Sequence, residues 1–263
     1  MKKYILLIVY TLFALNVISE KYQTINGITR PMDGRSMALG GGISGLDESS
    51  FKNITLTYLL PYQLKELSTR NIESDFKTKW MNLHIRWSQT GEETFLEDVV
   101  ELGASKNLSE SFQLGVKAGF YHYGLITGEK GQTLLSEIEC KYRPYEKMQI
   151  SVYIFNPTGS SLKKKDTPVF IGQSINIGGS FFPSESTEFL LEIEKMEQEN
   201  LIWHIGFEYG MRKGFFLRTG LSGAPFRPSW GIGGHLRHFR CALGGNMHPT
   251  LGLSSCFSLS YNW

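Results

Sequence analysis

The chain has 263 residues, 27 Lys and Arg against 25 Asp and Glu, and a net charge of +2, which gives no electrostatic reason to expect a nucleic-acid partner. At 41% hydrophobic residues the composition is that of an ordinary soluble protein. Past the N-terminus no stretch approaches the roughly 18 consecutive apolar residues that a spanning helix needs.

The first segment reads as a secretory signal peptide. Lys2 and Lys3 precede an apolar run over residues 4–15, and Val17, Ile18 and Ser19 occupy the cleavage-site positions. Cleavage after Ser19 divides the chain into a leader, 1–19, and a single mature domain, 20–263, since no linker-like shift in composition interrupts the rest. No cysteine lies near that site to take a lipid.

From residue 54 onward apolar and polar side chains alternate. Ile54, Leu56 and Tyr58 alternate with Thr55 and Thr57; Met81, Leu83, Ile85 and Trp87 with Asn82, His84, Arg86 and Ser88; Phe112, Leu114, Val116, Ala118 and Phe120 with Gln113, Lys117 and Tyr121. Leu134, Ile138 and Tyr142 oppose Glu137, Glu139 and Lys141, and Ile150, Val152 and Ile154 oppose Gln149, Ser151 and Tyr153. Ile175, Ile177 and Phe181 follow, then Phe189, Leu191 and Ile193 opposite Glu188, Glu192 and Glu194, and Trp203, Ile205 and Phe207 opposite His204 and Glu208. Phe215 and Leu217 oppose Arg218, and Trp230, Ile232 and Leu236 oppose His235 and Arg237. The period is two, that of a strand with one apolar and one polar face.

Short separators at 146–147, 183–186, 198–200, 213–214 and 223–225 alternate with longer ones expected at 89–94, 127–132 and 157–168. Tight turns at one end and longer loops at the other suit a transmembrane β-barrel with periplasmic turns and external loops. The expected fold is all-β, a closed antiparallel barrel of about 14 strands, or 12 if residues 53–79 hold fewer, with the N-terminal segment in or against the lumen. The basic run Lys163, Lys164 and Lys165 reads as a solvated loop that meets anionic lipopolysaccharide.

The last strand carries the pattern most clearly. Phe257, Leu259, Tyr261 and Trp263 fall on one face and Cys256, Ser258, Ser260 and Asn262 on the other, ending on an aromatic residue like the assembly signal of bacterial outer-membrane barrels. By the same parity Cys241 points outward and Cys256 inward, so the two thiols cannot pair without a bulge. All three cysteines, with Cys140, are expected to be reduced packing residues.

Three segments resemble the PorV and PorQ-like branch of the FadL-type outer-membrane barrels. Residues 34–44 (GRSMALGGGIS) are similar to that branch's opening R-S-x-A-x-G-G-A; Phe155, Asn156, Pro157, Thr158 and Gly159 to its mid-barrel N-P motif; and residues 248–263 (HPTLGLSSCFSLSYNW) to its closing H-P-x-L-G and F-S-L-S-Y pattern. The resemblance implies a barrel of about 14 strands with the N-terminal segment folded into the lumen. It also implies a non-enzymatic passage for hydrophobic or amphipathic solutes, or a docking partner in type IX protein secretion and surface attachment. Residues 45–53 depart from the branch in having no proline, which puts an inherited lumenal hatch in doubt.

Gly40, Gly41 and Gly42 are the candidate plug, read either as a flexible hatch or as a tight turn against the wall, the second being favoured. The inward parity collects His84, Arg86, Lys117, Glu137, Glu139, Lys141, Glu188, Glu192, Glu194, His204, Glu208, Arg218, His235 and Arg237, nearly balanced in sign. They read as a selectivity lining or, more simply, as a salt-bridge network that fills a narrow barrel. No His-x-Ser occurs, so a phospholipase-type barrel lacks its catalytic pair. Glu192 and Glu194 with His204 are the nearest approach to an acidic protease site. No cofactor, metal or catalytic residue is expected. Trp80, Trp87, Trp203, Trp230 and Trp263 read as interfacial belt residues. The expected location is the bacterial outer membrane, with membrane lipid, lipopolysaccharide and the barrel assembly machinery as partners, joined under the docking alternative by a secreted protein.

Overall fold

The structure, a computed structural model, describes residues 24–25, 33–42, 52–162, 169–197, 199–211 and 214–263. The expected signal peptide, the run 45–51 and Lys163 to Lys165 lie outside them. Described elements in chain order are β1 (Thr24–Ile25), α1 (Gly34–Ala38), β2 (Lys52–Leu60), β3 (Thr69–Lys77), β4 (Asn82–Glu92), β5 (Phe95–Asn107), β6 (Phe112–Leu125), β7 (Lys130–Tyr145), β8 (Met148–Phe155), β9 (Ser161–Leu162), β10 (Val169–Ile171), β11 (Ser174–Ser184), β12 (Thr187–Met196), β13 (Ile202–Met211), β14 (Phe215–Ser222), β15 (Arg227–Leu236), β16 (Phe239–His248) and β17 (Gly252–Asn262).

Strands β2 to β8 and β11 to β17 form one closed antiparallel barrel of 14 strands. The last strand closes on the first, with Phe257 opposite Tyr58 and Leu259 opposite Leu56. Closure leaves the barrel itself without a sheet edge, as a backbone in hydrocarbon requires. Among the described residues no helix is long and apolar enough to cross a membrane. The ambiguous segment 53–79 contains two strands, which settles the count at 14. Its second strand was faint because β3 offers only Ile72 and Phe76 as large apolar residues on the outer face.

Alternation translates directly into facing. Along β17, Phe257, Leu259 and Tyr261 are exposed on the outside while Ser254, Cys256 and Ser258 are buried inside. Trp263 continues the outer face, with Tyr261 stacked on it at 6.2 Å between ring centroids. Cys140, Cys241 and Cys256 form no disulfide; Cys241 sits opposite Leu259 and Cys256 opposite Gly244, so the two face opposite ways.

Both ends of the closing seam meet where Trp263 donates its backbone N–H to the Lys52 carbonyl. At this terminal end the described connections, such as 146–147, 185–186 and 237–238, are tight. The other end, here the loop end, carries 61–68 and the long connection 156–173. The asymmetry is as expected in sign, but two of the longer loops are corrected. Residues 93–94 alone join β4 to β5 and 126–129 join β6 to β7, because Gly91 (φ +96°) and Gly128 (φ +88°) let the chain reverse tightly. Strand β5 escaped the alternation count because Val99 is on its inner side and Asp98 on its outer side, inverting the pattern near the loop end.

The three motif segments each make a specific local structure. Asn156, at φ +51°, donates from Nδ2 to the Ile171 carbonyl at 2.7 Å and accepts from the Ser160 N–H at 3.0 Å, tying the long connection across the loop end. The His248 Nδ1 accepts from the backbone N–H groups of Thr250 and Leu251, forming the last hairpin before Gly252 at φ +90°. The opening motif forms α1 and the turn after it, inside the barrel.

Candidate functional site

The candidate site is the lumen, and its centre is the segment 33–42. Asp33 caps α1, accepting from the Ser36 N–H at 2.6 Å. Met37, Ala38 and Leu39 are almost wholly buried. A helix of five residues has little stability of its own, so the wall must hold it.

The wall does so with backbone and glycine. Gly206, Gly220 and Ser229 stand in register on β13, β14 and β15, and Gly231, Gly244 and Cys256 on β15, β16 and β17. A Cβ on Gly220 would lie 2.4 Å from the Gly40 nitrogen, and one on Gly244 would lie 2.2 Å from the Gly34 carbonyl oxygen. A Cβ on Gly206 would lie 2.8 Å from the Leu39 carbonyl oxygen, and one on Gly231 2.5 Å from the Ala38 Cβ. The inner face of β13 to β16 is therefore a groove cut to the shape of the segment. Ser229 donates to the Ala38 carbonyl at 3.0 Å, and the Gly34 N–H donates to the Ser258 hydroxyl at 3.3 Å.

Charge completes the docking. Arg35 Nε donates to Glu208 at 3.0 Å and its NH2 group to Glu188 at 2.5 Å, while Arg218 donates to Glu208 from the other side. Burial alone would lower the Arg35 pKa; the facing carboxylates of Glu188 and Glu208 outweigh it and raise the value, so the guanidinium is held charged. Glu188 also accepts from Ser180 at 2.7 Å, and Glu192 from Asn176 at 2.8 Å. His204 bonds the Gly40 carbonyl through Nδ1 at 2.7 Å and Glu194 through Nε2 at 3.2 Å. Gly40 and Gly41 adopt φ of +87° and +85°, the turn that brings the Gly40 carbonyl to His204, and Gly42 packs against Leu190.

A second set lines the facing wall. Arg86 pairs with Glu101 at 2.9 Å, Lys117 with Glu137 at 2.9 Å, Lys141 with Glu139 at 2.5 Å and His84 with Asp75 at 2.8 Å. His235 and Arg237 do not join either set. His235 is exposed at the end of β15 and Arg237 lies in the 237–238 turn at φ +54°, so both sit on the terminal rim rather than in the lumen. Those two sit at the rim, and the inner face gains Asp75, Glu101 and Glu73 on the acidic side and Arg35, Arg227 and Arg240 on the basic side. Trp87 falls in mid-strand and not at an interface.

Parity also hid an apolar cluster. Toward the loop end Tyr121, Tyr123 and Leu135 on the inner wall pack with Leu162 and Ile171 from the long connection, backed by Phe95, Val99, Leu125 and Phe155. The phenols are anchored at their tips, Tyr121 donating to Glu97 at 2.6 Å and Tyr123 to Glu129 at 3.0 Å. Strands β9 and β10 pair with each other, and β1 adds to β10 in parallel, Thr24 opposite Phe170. The N-terminal segment thus reaches the small sheet at the loop end as well as the central groove. Only the pairing of inward apolar residues with a long connection marks this cluster in the sequence. Among the described residues no group of His, Cys, Asp and Glu is placed to hold a metal ion.

No protein-family model matches the chain, and no curated protein sequence does. Solved structures do match. The toluene transporter TodX of P. putida aligns at a TM-score of 0.63 and 10% identity, over 88% of this chain and 98% of that one. The CymD monoaromatic hydrocarbon channel aligns at 0.63 and 8% identity, over 88% and 97%. A Pseudomonas aeruginosa FadL homologue aligns at 0.55 and 9% identity, over 92% and 99%. The chain has the fold of the FadL-type outer-membrane barrels.

Proposed function

We propose that this protein is a non-enzymatic barrel of the bacterial outer membrane that admits hydrophobic or amphipathic small solutes from its loop end. The observation that carries the reading is the apolar cluster of Tyr121, Tyr123, Leu135, Leu162 and Ile171 set inside an otherwise polar lumen. An apolar lining with a few polar tips is the usual form of a site for such solutes, and these packed side chains must part to admit one. The segment 33–42 fills the lumen beside it, so passage requires that segment to move or the solute to leave beside it. The aligned structures support the reading, since two of them are described as a monoaromatic hydrocarbon channel and a toluene transporter.

Uptake of radiolabelled toluene and of a short-chain fatty acid by cells with and without the barrel tests this. Accelerated entry that is abolished by filling the cluster with Leu135→Trp is the expected result. Entry rates equal to those of barrel-free cells end the proposal.

The motifs at 34–44, 155–159 and 248–263 support a second reading, a docking platform for a secreted protein of the PorV type. Affinity capture from native membranes separates the two: a stoichiometric secreted partner favours docking, and co-purifying small amphiphile favours passage. Contacts with lipopolysaccharide and with the barrel assembly machinery belong to either reading.

A further inference from the structure

The two ends of the barrel differ in charge. Exposed carboxylates at the loop end, Glu66, Glu92, Glu93, Glu197 and Glu199, are interleaved with the exposed cations Lys65, Arg70, Lys130 and Lys195. At the terminal end, the sector that runs from β15 round through β17 and β2 to the end of β5 exposes Lys52, Lys77, Lys79, Lys106, Arg237 and His238. Asp75, the one carboxylate side chain among the described residues of that sector's end, turns inward to His84. Glu110 in the next turn bounds the sector, and Glu146 and Glu185 occupy the turns beyond.

Directly against this basic row runs a line of aromatic rings on the outer face. Phe239 and Tyr261 lie 5.1 Å apart, Tyr261 stacks on Trp263 at 6.2 Å, and Trp263 meets Phe76 edge-on at 6.2 Å. Trp80, 73% exposed, extends the line into the 78–81 turn. The shelf is continuous with the apolar belt of Leu259, Ile54 and Leu83, so whatever lies against it lies in the same layer as acyl chains. Rings at the headgroup level with cations just beyond them match the two parts of a phospholipid, the glycerol and upper acyl region and the phosphate.

We propose that the terminal rim between β15 and β5 is a docking surface for anionic phospholipid headgroups. The inference rests on the barrel's lying in a membrane. Lys52, Lys79 and Arg237 supply charge to the phosphodiester, while Trp80, Trp263 and Tyr261 fix its depth. A protein partner is disfavoured because the shelf faces radially outward into the lipid layer rather than along the barrel axis.

The test is electron paramagnetic resonance of the folded barrel in phosphatidylcholine vesicles doped with spin-labelled phosphatidylglycerol or spin-labelled phosphatidylcholine. The expected result is a motionally restricted fraction about two- to four-fold larger for the anionic lipid, as befits a few surface cations at low salt. The excess falls toward unity in 1 M salt, where the screening length is only about 3 Å. It is lost in Lys52→Gln/Lys79→Gln/Arg237→Gln and retained in the loop-end control Lys130→Gln/Lys195→Gln. Equal fractions for the two lipids in the native protein overturn the proposal, as does an excess that survives the triple substitution. If the triple variant does not assemble, the salt series and the loop-end control decide by the same criteria. Reduced assembly of that variant with an unchanged lipid preference assigns the row to an assembly partner instead. Absence of any restricted component for either lipid means that the barrel is not in the membrane, which is a failure of the wider reading and distinguishable from a mere lack of preference.

Discussion

Arg35, on a five-residue helix, bonds Glu208 on β13 at 3.0 Å across 173 residues of sequence, and Arg218 shares the same carboxylate. Removing one member of such a group strands the others. Arg35→Leu takes a cation from both Glu188 and Glu208, which keep Ser180 and Arg218 respectively, and the loss is expected to approach 3 kcal/mol for a mostly buried pair. The barrel itself should still assemble. The expected outcome is a loosened segment 33–42, read as higher ion conductance in planar bilayers and faster protease cleavage near residue 35; conductance unchanged from the native protein would refute the latch.

Gly220 and Gly244 make the groove and carry no charge. A side chain at either site collides with backbone at 33–42, which cannot yield as a flexible side chain can. Gly220→Val and Gly244→Val should therefore release the segment about as fully as Arg35→Leu, while Gly234→Val, whose added Cβ would meet nothing nearer than the Cys241 sulfur at 3.5 Å, should not. The same conductance assay compares the three.

On β17 the lipid-facing position is Leu259 and the neighbouring inward one toward the terminal end is Ser260. Leu259→Arg places a guanidinium in hydrocarbon and should cost up to about 2 to 4 kcal/mol near the midplane, lowering outer-membrane yield. Ser260→Arg should cost less, since its side chain faces the polar lumen, where the penalties are a like charge opposite, Arg240, and the lost bond to the Thr55 hydroxyl. Ser258, the inward residue that parity alone nominates for this comparison, accepts the Gly34 N–H and is buried beneath the segment, so Ser258→Arg should disturb the segment instead.

At the loop end, Leu162→Asp puts a carboxylate against Tyr121, Tyr123 and Leu135. Toluene uptake should fall several-fold while the barrel keeps its heat-modifiable migration on gels. Uptake at the native rate would mean that solute does not pass the cluster.

The barrel was legible because lipid enforces a period of two on nearly every strand, and a chain with Leu83, Ile85 and Trp87 on one face has few other uses for it. Strand β5 was lost where Asp98 and Val99 exchange faces near the mouth, since only the part of a strand inside the hydrocarbon obeys the rule. In the lumen, parity found Glu188, His204, Glu208 and Arg218 but not what they hold. Arg35, which Glu188 and Glu208 hold, and the Gly40 carbonyl, which His204 holds, sit on a segment far away in sequence that follows no strand period. His235 and Arg237 were misplaced for a simpler reason: parity gives a side and not a height, and both lie at the end of β15. The inward glycines were visible as gaps in the polar row, yet a gap becomes a groove only when neighbouring strands bring theirs into register.

That register has a consequence for assembly. Gly206 lies opposite Gly220, and Gly231 opposite Gly244. A one-residue slip of β14 along β13 would bring Thr219 or Leu221 to the inner face at that point and turn the Gly220 position toward lipid. Such a slipped barrel could still close and still present grease outward in part, but residues 34–40 could not seat in it. The seated segment therefore works as a proofreader, adding its docking energy only to the one alignment of β13 through β16 in which the glycines coincide.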